Sequence, residues 1–240
     1  HPYGWFAEEL VSIAREHLAR LINAKPEEII FTSGATESNN LAIRGIIEKE
    51  GDLSRKESSR IVSVKTEHAS VLEPLEMLKN RGYKVGIMRV SRDGLLEDKT
   101  LNTALHSDAL LCSVMLANNE IGVVQDISRL VKLAGSRVKY FHCDAAQALG
   151  KIPIDVDALG IDLMSLSAHK IYGPKGIGAL YVRKTSGAAA LCPQLLGGGH
   201  EKGLRAGTQN VPAIVGFGEA AKIAKDEMEQ DSRHANELRD

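Results

Sequence analysis

The chain has 240 residues, with 30 Lys and Arg against 31 Asp and Glu, so its formal net charge is -1 at pH 7. That balance argues against a protein that works mainly on nucleic acid or an anionic membrane surface, and 43% hydrophobic with 25% charged residues excludes wholesale disorder. Three cysteines without a Cys-x-x-Cys pair exclude a disulfide scaffold or a zinc ribbon. The longest uncharged apolar run, Leu110 to Ala117, is too short to span a bilayer, and no basic-then-apolar leader opens the chain. The expected compartment is therefore the cytosol, or the mitochondrial matrix in a eukaryote.

Phe6, Leu10, Ile13, Ala14, His17, Leu18 and Leu21 recur at helical spacing and predict an amphipathic helix over about residues 6–23. A short strand, Glu28 to Thr32, follows Pro26, and after the turn-rich Ser33 to Thr36 a helix is predicted over Asn39 to Glu50. Glu48 to Arg60 reads as a charged, solvated loop. Apolar runs of buried-strand length then occupy Arg60 to Val64, Lys84 to Val90, Leu110 to Leu116, Val138 to Cys143, Asp162 to Ser167 and Gly178 to Arg183. Helical stretches separate the earlier ones at Ser70 to Arg81 and Glu97 to Leu105, and Thr185 to Gly199 is a Gly- and Ala-rich connection. The alternation predicts one α/β domain: a mainly parallel seven-stranded sheet between helices. Ligands of such sheets sit at the carboxyl ends of the strands. The chain opens with His1 rather than Met and stops within the helical run Glu219 to Asp240 without a C-cap signal, so a fragment or trimmed domain is expected.

Three polar stretches fall at predicted strand ends. Phe31 to Ser38 joins a strand to a helix start, where free N–H groups and the helix dipole favour a phosphate and Thr36 adds a hydroxyl. The same residues also read as an ordinary turn capped by Ser33 or Thr36. Tyr140 to Gln147 puts Asp144 at the end of a buried strand, which is costly unless the carboxylate meets a cation or donors. A protonated ring nitrogen of a cofactor meets that need, and so does the N-cap of the next helix. His142 and Cys143, adjacent in a strand, point to opposite faces, and no metal site is expected there. Ser165 to Gly178 places Lys170 after an apolar strand, beside His169 and before the rigid Gly173-Pro174 turn. A desolvated lysine has a lowered pKa and forms Schiff bases with carbonyls; a solvated loop lysine is the plain alternative. The glycines here match neither the phosphate-loop nor the dinucleotide pattern. A lysine, an acid for a pyridine nitrogen and a phosphate cup are together what a pyridoxal-phosphate enzyme needs.

The segments TSGATESNN, KTEH, ANNEIGVVQD, DAAQALGK, SAHKIYGPKGIGALYVR and GGGHEKGLRAGTQN resemble those of cysteine desulfurases, which are class-V, fold-type-I pyridoxal-phosphate enzymes. GGGHEKGLRAGT resembles the NifS/IscS-type branch more than the SufS-type branch. The resemblance implies that residues 1–240 are most of the pyridoxal-phosphate-binding large domain, with the N-terminal segment absent and the C-terminal small domain largely missing. It implies Lys170 as the Schiff-base lysine and α-proton base, His68 stacked on the ring, Asp144 at the pyridinium nitrogen and Gln147 at the phenolic oxygen. Ala35, Thr36, Ser167 and His169 would hold the phosphate, and Asn119 the cofactor or the substrate carboxylate. Thr208 would reach the phosphate of a neighbouring subunit, which implies a homodimer.

The activity so implied converts L-cysteine to L-alanine and passes sulfur as a persulfide, through an iron–sulfur scaffold or a sulfur-relay protein, to cluster assembly or tRNA thiolation. The alternative is a selenocysteine lyase, acting on L-selenocysteine, or another class-V enzyme. The resemblance implies that the family's persulfide cysteine and its substrate-carboxylate arginine lie beyond residue 240, and Cys112, Cys143 and Cys192 match no persulfide motif. A chain that binds only cofactor or partners is therefore a third expectation.

Overall fold

The computed structural model describes residues 2–52, 54, 59–185 and 191–239. Its strands are β1 (Ile29–Thr32), β2 (Ile61–Val64), β3 (Val85–Met88), β4 (Ala109–Ser113), β5 (Val138–Asp144), β6 (Leu163–Ser167) and β7 (Gly178–Val182). All seven lie where the apolar runs predict them. They form one sheet in the order β1-β7-β6-β5-β4-β2-β3. Strands β2 to β6 pair in parallel, and β7 is antiparallel to both of its neighbours, β1 and β6. The helices are α1 (Pro2–Leu21), α2 (Ala35–Glu50), α3 (Ala69–Asn80), α4 (Asp98–Ala104), α5 (Ile127–Ala134), α6 (Val156–Leu159) and α7 (Val211–Arg239). No helix of the described residues is long and apolar enough to cross a membrane.

Side chains alternate across a strand, and that alternation sorts the helices onto the two faces. Val62, Val64, Cys112, Phe141, Met164 and Tyr181 pack in one core with residues of α1, α4, α5 and α7. Ile30, Ile61, Leu111, Tyr140, Leu163 and Leu180 pack in the other with residues of α2 and α3. A fully buried side chain such as Leu18 or Ile46 contributes about 1.5–3 kcal/mol relative to exposure.

The helix bounds differ from the periodicity in instructive ways. Helix α2 begins at Ala35, not Asn39, because the Glu37 carboxylate accepts from the Ser33 N–H at 2.7 Å and folds the turn into the first helical residues. The helix ends at Glu50 as predicted, so Glu48 to Glu50 belong to it and the charged loop begins after them. There Glu50 accepts from the Tyr140 hydroxyl at 2.6 Å. Helix α7 begins at Val211 rather than Glu219. Its glycines lower helix propensity, yet an added Cβ at Gly218 would lie 2.4 Å from the Ala14 Cα, so a close crossing with α1 requires glycine there. Helices α5 and α6 add to those expected, each capped by an aspartate side chain, Asp126 and Asp155. The centre of the charged loop (Leu53 and 55–58), residues 186–190 of the Gly- and Ala-rich connection, His1 and Asp240 lie outside the described residues.

Candidate active site

On the face shared with α2 and α3, strands change from apolar to polar toward their carboxyl ends. Ile61 gives way to Ser63, Leu111 to Ser113, Tyr140 to His142 and Asp144, and Leu163 to Ser165 and Ser167; all the polar members are buried. Within this row both nitrogens of the His142 ring are taken, Nδ1 lying 2.8 Å from Ser113 Oγ and Nε2 2.9 Å from Ser165 Oγ. Burial lowers the His142 pKa to about 3, which keeps the ring neutral. Its partners are hydroxyls of the core, which leaves no ring nitrogen for a metal.

Asp144 ends β5 on the same face and is 5% exposed. Its Oδ1 accepts from the Ala146 N–H at 2.9 Å and its Oδ2 from Asn39 Nδ2 at 2.8 Å. Both donors are neutral. Desolvation pushes the Asp144 pKa up, against the lowering by those donors and by His68. Asn39 Nδ2 also bonds Ser70 Oγ at 2.8 Å, and Ser70 Oγ lies 2.8 Å from His68 Nδ1. His68 caps α3 by accepting from the Ser70 N–H. The buried Asn39 Oδ1 has no partner among the described residues.

The next strand, β6, leads into a 3-10 turn, Ala168–Ile171, that carries His169 and Lys170. Ser167 Oγ lies 2.8 Å from His169 Nδ1. Partial burial, with Lys170 and Lys175 nearby, lowers the His169 pKa. The Lys170 ammonium is half-buried and has no hydrogen bond or ion pair among the described residues. Against this turn lies the start of α2. An added Cβ at Gly178 would sit 2.6 Å from the Gly34 Cα and 2.6 Å from the Leu166 carbonyl, so the glycine pair lets β7 and the β1–α2 turn meet. Gly34, the N-cap residue of α2, contributes no side-chain cap, and the first N–H groups of a helix have no intrahelical acceptor. Glu37 is held there by Arg205 at 2.9 Å, and the Arg205 and Ser33 contacts keep its pKa low despite desolvation.

These groups line one cleft of about 460 Å³. It brings together Ala35 and Thr36 from α2, His68 before α3, Asn119 after β4, Asp144 and Gln147 at and after β5, and Ser167, His169 and Lys170 at and after β6. Thr208 is exposed and lies outside this lining. Ser70, Met115, Glu37 and Lys175 line the cleft without being sequence candidates, and Asn39 is a further buried partner. Asn39 had a readable signal: with Ala42, Ile43 and Ile46 it occupies the apolar stripe of α2.

A larger groove of about 970 Å³ runs between Ile171–Pro174 and α7, but every charged residue lining it is exposed, and nothing in it desolvates a reactive group. Cys112 and Cys143 are buried with their thiols pushed up by desolvation. Neither they nor Cys192 lines the cleft. The donor set suits one kind of ligand: cationic where it meets Asp144, anionic where it meets the α2 N-terminus and Ser167, and a carbonyl toward Lys170.

A sheet of this topology with a lysine and an acid at adjacent strand ends is the architecture of a known enzyme class. The chain matches the class-V aminotransferase family over residues 1–240 and belongs to it. It is 51% identical to the cysteine desulfurase IscS of Neisseria meningitidis serogroup C, over 100% of this chain and 58% of that protein. A NifS-like protein of solved structure superposes with a TM-score of 0.92 at 37% identity, over 100% of this chain and 64% of its own. SspA, solved in complex with cysteine, matches with a TM-score of 0.84 at 40% identity, over 92% of this chain and 62% of its own. The chain thus spans 58% of the length of the curated relatives it matches.

Proposed function

We propose that residues 1–240 form the cofactor-binding large domain of a pyridoxal-phosphate-dependent cysteine desulfurase. The observation that carries this reading is the pairing at the ends of β5 and β6: a buried Asp144 carboxylate with only neutral donors, and a Lys170 ammonium with no partner among the described residues. The residues fit the group that the family implies. Asp144, raised by burial, gains a cation if it faces a protonated pyridine nitrogen. The N–H groups of Ala35 and Thr36, with Ser167 and His169, receive the phosphate. Gln147 would meet the phenolic oxygen, His68 the ring face, and Asn119 the cofactor or substrate carboxylate.

Pyridoxal phosphate, when bound, supplies an electron sink for the pair left as the substrate Cα–H bond breaks. Lys170 Nζ would anchor the cofactor and would be the group that takes that α-proton. Asp144 keeps the ring nitrogen protonated by staying ionised beside it. His169, whose pKa desolvation and the two nearby lysines lower, would offer an N–H to the phosphate.

The overall reaction joins L-cysteine and an acceptor thiol to give L-alanine and a persulfide, with no net redox change. Cys112 and Cys143 are buried, and none of the chain's three cysteines lines the cleft. We therefore place the acceptor thiol outside residues 1–240. From there sulfur passes to an iron–sulfur scaffold or a relay protein for cluster assembly or tRNA thiolation. Thr208, exposed and outside its own cleft, is proposed to serve the phosphate site of a second copy in a homodimer.

The test incubates the protein as its gene encodes it with pyridoxal phosphate, L-cysteine and a reductant, and quantifies alanine and sulfide. Equal amounts of both are expected. Turnover of L-selenocysteine alone would move the assignment to a selenocysteine lyase, and bound cofactor without alanine to a chain that only binds.

A further inference from the structure

Behind the cleft wall lies a second buried carboxyl. Glu67 immediately precedes His68 and is 6% exposed. Its Oε1 accepts from the Met115 N–H at 2.6 Å, while Oε2 is buried without a partner among the described residues. The Met115 amide follows the end of β4 and opens the segment that carries Asn119 into the cleft. A second tie runs alongside, from Asn118 Nδ2 to the Thr66 carbonyl at 2.9 Å. Asn118 Oδ1 then accepts from the N–H groups of Glu120 and Ile121, both at 2.9 Å, and closes the turn around Asn119. Residues 66–68 and 115–121 are thus joined in two places, one of them through a buried side-chain carboxyl.

We propose that Glu67 is a positioning residue of the reaction: through the Met115 amide it fixes the segment that presents Met115 and Asn119 to the substrate. It touches neither substrate nor cofactor and does not line the cleft. Desolvation, reinforced by the charge of Asp144, pushes its pKa far up. An amide of the same shape can do the same work, since it keeps a carbonyl oxygen for Met115 and adds no charge. A residue without an acceptor cannot.

The proposal rests on the desulfurase reading, and its test keeps the two apart. Glu67→Gln and Glu67→Ala are made in the protein as its gene encodes it, loaded with pyridoxal phosphate. Glu67→Ala is expected to raise KM for L-cysteine at least tenfold, with kcat and cofactor affinity each changed less than threefold. Glu67→Gln is expected to stay within twofold of wild type in all three. Hydrogen exchange at the Met115 amide is expected to speed up at least tenfold in Glu67→Ala and to stay protected in Glu67→Gln. A wild-type KM in Glu67→Ala overturns the proposal, and so does a Glu67→Gln variant as impaired as Glu67→Ala. If the wild-type protein makes no alanine, the desulfurase reading fails, while the Met115 exchange rates still decide whether Glu67 holds this segment.

Discussion

Glu201 and Asp144 are both buried carboxylates, and the protein treats them differently. Glu201 accepts from both guanidinium nitrogens of Arg15 at 2.8 and 2.9 Å, from the Phe31 N–H at 2.9 Å and from Gln209 Nε2 at 2.5 Å. Arg15 in turn stacks over the Phe31 ring at 4.6 Å. This hub ties α1, β1 and the segment bearing Arg205 and Thr208 together, and it holds Glu201 and Lys202 at positive φ. Asp144 has two neutral donors and no ion pair among the described residues. One carboxylate is neutralised within the fold; the other keeps its capacity for a ligand. Burial of a charge is therefore structural where the counter-ion belongs to the chain and functional where it is left to come from outside.

Removing the acceptor of the internal pair should have the larger effect on folding. Glu201→Ala leaves the Arg15 guanidinium, 19% exposed at its side chain, without its carboxylate, and is expected to cost about 3–5 kcal/mol in urea unfolding. A loss below about 1 kcal/mol would class this pair with weak surface bridges. Asp144→Asn should do the opposite to folding. The raised pKa of Asp144 means that the cofactor-free fold prefers the protonated acid. Its contribution is full below the ordinary carboxylate pKa and is lost as pH rises through the raised one. At pH 7 the cofactor-free Asp144→Asn protein is accordingly expected to be at least as stable as wild type. Cofactor affinity is expected to fall at least tenfold, about 1.4 kcal/mol. A variant that unfolds more easily yet binds cofactor normally would reverse the comparison.

Much of this was legible in the residues. The strands announced themselves as short apolar runs, and Asp144 and Lys170 stood out as charges at the ends of two of them. The polar ends of IVSV, ALLCS, VKYFHCD and LMSLS share one parity, so even the face of the cleft floor was readable from period-2 alternation. Strand order and the reversal of β7 were not, because pairing between distant segments leaves no local periodicity. The start of α7 ahead of Glu219 was not legible either, because Gly216 and Gly218 are poor helix formers whose presence reflects close packing on Pro174 and Ala14. Glu67, Glu201 and Arg15 were invisible as a matter of principle. A buried charged residue looks like a solvated one until its partners are known.

The central claim is that Lys170 and Asp144, at adjacent strand ends, hold one cofactor between them. The most direct measurement is to add pyridoxal phosphate to the purified chain, reduce with borohydride, and locate the added mass by peptide mass spectrometry. The account predicts one cofactor per chain on Lys170. It also predicts none on Lys170→Ala, with the melting temperature of that variant, whose lysine has no hydrogen bond or ion pair among the described residues, within about 2 °C of wild type. Saturable labelling at Lys175 instead, or a Lys170→Ala protein that still traps the cofactor, would contradict it.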